Sequence, residues 1–119
     1  AIQRLIELID AAPSPLTTLD LGQMGGAVSR VSLHETAYAH RNAAYMVFIE
    51  SNWRAPGDDA ANIAWAKRVV DTMQPFSTGG QAASFPGLFE EREKLFGTHF
   101  QRLQALKAHY DPDNLFRST

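Results

Sequence analysis

Punctuation limits this chain more than any other feature. Pro13 and Pro15, Pro56-Gly57, Pro75, Gly79-Gly80, Pro86-Gly87 and Asp111-Pro112 break the apolar pattern into short pieces. Proline has no backbone donor and clashes with a continuing helix, and adjacent glycines favour turns. Each element must therefore be short. The longest apolar run, residues 43–49, is strand-sized and far below the roughly 20 residues of a membrane-spanning helix, so no membrane partner is expected.

Within those breaks the apolar spacing assigns the elements. Ile2, Leu5, Ile6 and Ile9 recur at helical spacing, so residues 1–11 read as a short amphipathic helix that ends before Pro13. Residues 19–53 turn β in character. Residues 27–33 alternate, and Tyr45-Met46-Val47-Phe48-Ile49 is rich in β-branched and aromatic side chains. A polar loop over residues 39–44 joins them, and Gly22, Gly25 and Gly26 mark a turn before the first strand. Asp58 reads as the cap of a second helix that carries Ile63, Ala66, Val69, Val70 and Met73 up to Pro75. From Leu88 to Tyr110 a third helical pattern runs through Leu95, Phe96, Phe100, Leu103 and Leu106, with Gly97 as a joint.

The order of elements gives an α+β class: an antiparallel sheet of three or so strands with helices packed on one face, as a single domain over residues 1–119. Tyr45, Val47, Ile49, Leu103 and Leu106 are the expected core between sheet and helix. So thin a sheet has open edges, so it should extend a larger sheet or pair with another copy, and a homo-oligomer is expected of the isolated chain. The chain opens at Ala1 directly into a helical pattern, which suggests a piece of something longer.

Composition narrows the function classes. Eleven basic residues against 13 acidic ones give a net charge of -2, with the basic residues scattered, so no nucleic-acid partner is expected. Zero cysteines exclude disulfides, thiolate metal sites and cysteine nucleophiles, and they fit a cytoplasmic setting.

Few constellations point to chemistry. The stretch Gly22-Gln23-Met24-Gly25-Gly26 has the look of a phosphate cradle, but a dinucleotide loop follows a strand and opens a helix, and here a strand is expected next; a structural turn is favoured. His34, His40, His99 and His109 lack metal-ligand spacing, so no metal is expected, and His99 and His109 read as surface residues of the last helix. Ser32, His34 and Glu35 lie too close along one strand to converge as a triad. Trp53 and Trp65 read as core or interface residues, and Glu90-Glu91-Arg92-Glu93-Lys94 as a solvated face. His40 beside Arg41 stands out: an imidazole and a cation in one loop suit an anionic or carbonyl group, although a polar loop satisfied by its own backbone explains them too.

Residues 95–116 resemble the closing segment of berberine bridge enzyme-like flavin oxidases, of the vanillyl-alcohol oxidase type. Gly97, Arg102-Leu103, Lys107, Tyr110-Asp111-Pro112, Asn114 and Phe116 carry the likeness. Gly25-Gly26-Ala27, the loop Ala37-Tyr38-Ala39-His40-Arg41 and a strand ending at Trp53 agree in order, so the resemblance covers nearly the whole chain.

The resemblance implies the C-terminal, substrate-covering part of an FAD-linked oxidoreductase, with the FAD-binding domain absent from these residues. Such a protein passes a hydride from an alcohol, a sugar or an alkaloid-like molecule to flavin, and this part alone is expected to be inactive. The implied partners are a small-molecule substrate and the FAD-binding domain of the same parent. His40, Arg41 and Gln23 are the implied substrate-side residues, and Ser84 and Asn114 the implied cofactor-side ones. The chain departs from the family at Ala82 and Ser84, where a Tyr and an Asn are usual, and at His99, where Asn is common. A free-standing dimeric α+β module that binds a small apolar ligand or a protein partner is the competing reading.

Overall fold

The structure is a computed structural model that describes residues 1–82 and 91–117. Their contacts divide into two compact units, Ala1–Gly26 with Asn42–Gly79, and Ala27–Arg41 with Gly80–Thr119.

The first unit is α+β. Helix α1 (Ile2–Asp10) ends at Ala11, whose successors Pro13 and Pro15 cannot extend it. Strands β1 (Thr18–Gln23) and β2 (Tyr45–Glu50) pair antiparallel, with Leu19 opposite Ile49 and Gln23 opposite Tyr45. Helix α3 (Asp59–Met73) follows a short 3-10 turn at Pro56–Asp58 and passes into another, Gln74–Phe76, around Pro75. Asp58 holds the N-cap position as expected. Its side chain makes no capping bond, however, and its carbonyl instead accepts from Asn62 Nδ2 at 2.9 Å.

Leu8 of α1 and Trp65 and Val69 of α3 form the core, against which Leu19 and Ile49 of the ribbon pack. Period-two geometry puts those paired residues on one sheet face. Trp65 is 1% exposed and donates its indole N–H to the Leu8 carbonyl at 2.8 Å, so the largest core side chain also satisfies its one polar atom.

The second unit contains α2 (Ala27–Arg30), α4 (Arg92–Phe96), a 3-10 turn at Gly97–His99 and α5 (Phe100–Tyr110). Gly97 has φ +50, so the expected joint is real, and its left-handed backbone separates α4 from α5.

Several expectations fail. Among the described residues the sheet has two strands, not three. Residues 27–33 form a one-turn helix followed by turns; Val28 and Val31 at i, i+3 share one side of a helical turn but fall on opposite faces of a strand. The true partner of β2 is the stretch around Leu19 and Leu21, which also takes in Gly22, expected in a turn but paired here with Met46. Tyr45 is 63% exposed and Leu106 40% exposed, so neither is core. His99, expected at the surface, is buried at 7% exposure. No helix among the described residues is long and apolar enough to cross a membrane.

Candidate functional site

The loop that carries His40 and Arg41 is held by a set of directed contacts within the second unit. The His40 ring nitrogen Nε2 lies 3.2 Å from the Leu95 carbonyl. A carbonyl can only accept, so Nε2 carries the hydrogen of this contact, and Nδ1 lies on the other side of the ring. Gly80 covers that side: a Cβ there would come within 2.6 Å of His40 Cγ and Cε1. At Gly97 a Cβ would sit 3.1 Å from the Ala39 methyl. Two glycine backbones thus approach residues 39–40 at distances that a side chain would prevent.

Arg41 is tied as firmly. Its guanidinium donates to the Val28 carbonyl at 2.9 Å and to Thr36 Oγ1 at 2.6 Å, and it lies over the Tyr38 ring, 5.5 Å from the centroid. The His40 ring meets Tyr38 edge-on at 5.9 Å. Tyr38 is therefore clamped between an imidazole edge and a cation. Both sequence-selected residues come together here, but their polar atoms largely serve the fold. Arg41 Nε is buried and has no partner among the described residues.

The other candidates are placed differently. Gln23 belongs to the first unit, where it ends β1 opposite Tyr45 and stands exposed. Ser84 lies outside the described residues. Asn114 is exposed and holds φ +51 in the turn after α5, where its N–H donates to the Asp111 carbonyl at 3.1 Å. That turn is organised by Asp111, whose carboxylate accepts the N–H groups of Leu115 at 2.7 Å and Phe116 at 3.0 Å and pairs with Lys107. The Lys107 hydrogen bond, followed by those two amides, holds the Asp111 carboxyl below its ordinary value despite an opposing desolvation.

Sequence reasoning missed the supporting residues. Gly80 and Gly97 signalled turns, but nothing marked them as the floor and wall of the His40 loop. His99 is buried with Nε2 unpartnered among the described residues, and its ring meets His34 edge-on at 6.2 Å. No group of three or more metal-ligating side chains occurs among the described residues.

The exposed Asn114 carboxamide offers a donor and an acceptor, whereas His40 Nε2 and the two terminal guanidinium nitrogens of Arg41 are engaged.

Comparison with known proteins places these residues in context. Residues 73–119 match the family described as berberine and berberine like. The chain is 35% identical over 95 residues to an uncharacterised FAD-linked oxidoreductase of Bacillus subtilis, YvdP, covering 78% of this chain and 21% of that protein. It is 30% identical over 112 residues to berberine bridge enzyme-like 14 of Arabidopsis thaliana, with 78% and 21% covered. Aclacinomycin-N/aclacinomycin-A oxidase of Streptomyces galilaeus is 28% identical over 119 residues, with 83% and 22% covered. The chain thus spans 21 to 22% of the length of these relatives.

Proposed function

From a chain that carries a berberine bridge enzyme-like segment, we propose a specific role: the substrate-covering, C-terminal part of an FAD-linked oxidoreductase. The observation that carries it is the segment over residues 73–119, in which the Asp111 turn and the Gly97 joint are built as ordered structure. The FAD-binding domain of the same parent is the implied partner. The substrate class is an alcohol, a sugar or an alkaloid-like molecule.

Bound FAD would supply the hydride acceptor. This chain's part is to orient and enclose. His40 and Arg41 stand on the substrate side as the scaffold of their loop, and they fix the Tyr38 ring. Asn114 offers its carboxamide towards the cofactor side, and Ser84 and Gln23 keep their assignments as cofactor-side and substrate-side residues.

The test is the intact mass of the natural gene product, with an absorbance scan between about 350 and 500 nm, where oxidised flavin absorbs. A product several times the mass of this chain with flavin bands is expected. A colourless product after reconstitution with FAD would overturn the assignment.

A further inference from the structure

The hydrogen bonds of His40 and Arg41 go to the fold, and the side chain that these two residues hold between them is Tyr38. Its ring meets the His40 ring at an interplanar angle of 89° and lies under the Arg41 guanidinium. The main chain is fixed through the same network: Thr36 Oγ1 accepts the Tyr38 N–H at 3.4 Å and the Arg41 guanidinium at 2.6 Å. Ring and backbone of Tyr38 are thus set by one cluster of contacts, all within the second unit.

The Tyr38 hydroxyl takes no part in this. It has no hydrogen-bond partner among the described residues, and it is open to solvent at the end of a half-buried ring. The edge contact and the cation over the ring need only the aromatic system, which phenylalanine supplies as well. The oxygen is therefore surplus to the fold. A phenol held in one orientation with its donor and its acceptor unused is a prepared hydrogen-bonding group, because the entropy of fixing it is lost before a ligand arrives.

Charge narrows what this group can receive. In residues 27–41 Arg30 and Arg41 outnumber Glu35, and the Tyr38 ring already carries a guanidinium. An ammonium group seeks an aromatic face or a carboxylate; here the ring is occupied by a cation, and cations outnumber carboxylates. A neutral hydroxyl, which donates and accepts as a phenol does, meets no such conflict.

We propose that Tyr38 is the substrate-contacting residue of this loop, and that its hydroxyl bonds to a hydroxyl group of an alcohol or a sugar rather than to an amine-bearing, alkaloid-like molecule. The inference rests on the function proposed above and narrows its substrate class. His40 and Arg41 are then positioning residues, which act through the Tyr38 ring.

Anaerobic bleaching of the flavin band at about 450 nm, in the gene product that contains this chain, tests the inference. Benzyl alcohol or D-glucose should bleach it, and which of them does so names the source of the hydroxyl. Benzylamine, which matches benzyl alcohol in all but its charged group, should not. Tyr38→Phe should keep its flavin and raise the half-saturating concentration about tenfold while the limiting rate stays within about twofold, the pattern of a lost substrate contact. A variant disturbed only in its fold would lose flavin or limiting rate instead, and that result would overturn the contact. In the parent sequence N-acetylimidazole should acetylate the Tyr38 oxygen, and the bleaching alcohol or sugar should slow that reaction, a readout that needs no variant. Bleaching by benzylamine, or by none of the three compounds, would overturn the substrate class. A Tyr38→Phe protein that matches the parent, or a Tyr38 oxygen that the substrate does not shield, would overturn the contact. Each of these results leaves the oxidoreductase assignment standing, whereas a product without flavin would overturn that assignment and this inference with it.

Discussion

The two units of this chain hold their shape by different means. In the first, Leu5, Leu8, Trp65 and Val69 are withdrawn from water, and the stabilising force is non-directional burial. In the second, described order comes from directed ties: His40 to Leu95, Arg41 to Val28 and Thr36, and Asp111 to Leu115 and Phe116. A buried core fails as a unit when its largest member is removed. A polar network fails locally, at the tie that is cut.

The sharpest way to break that contrast is to truncate the core. Trp65→Ala should cost about 3–5 kcal/mol and melt the first unit in a urea titration. A loss below about 1 kcal/mol would show that burial is not what holds this unit. Next comes Gly80→Ala, which drives a methyl into the His40 ring and should cost about 1–3 kcal/mol, felt in the second unit alone. Adding His40→Ala removes the clash, so the double variant should lose less than the sum of the two; strict additivity would mean that ring and glycine do not press on each other.

Leu106→Ala should be milder still, about 0.5 kcal/mol in this chain, because the residue is already 40% exposed. A cost of several kcal/mol would restore it to a core role. The smallest effect is in pH. Asp111 is held below its ordinary value in the fold, so the unfolded chain takes up the proton first. The Asp111 turn is therefore at full strength above the ordinary carboxylate range, weakens as the pH falls below it and is gone once the lowered folded value is passed. Amide exchange of Leu115 and Phe116 should quicken over that window, and Asp111→Asn should remove the pH dependence. Exchange that ignores pH in the parent sequence would deny Asp111 its role.

Legibility in the sequence followed the length of the pattern. Helix α3 was clear because Ile63, Ala66, Val69, Val70 and Met73 repeat over several turns between Pro56-Gly57 and Pro75. Strand β2 was clear from its β-branched and aromatic run. Strand β1 was missed because Leu19 and Leu21 are too brief an alternation, and residues 27–33 were misread because seven residues do not separate period two from a helical turn. At the candidate site, His40 and Arg41 were found by residue type. Their role as ties was not legible, since Leu95 is 55 residues away from His40 along the chain.

The sequence by itself determined where elements stop, because proline and glycine act through local backbone geometry that needs no partner. It also determined the berberine bridge enzyme-like segment, whose markers lie at fixed spacing over a continuous stretch. Tertiary structure decided which strands pair, which apolar side chains leave water and which polar atoms remain free. Those outcomes depend on residues distant in sequence meeting in space: Leu8 with Trp65, Leu19 with Ile49, His40 with Gly80. No local pattern encodes such meetings.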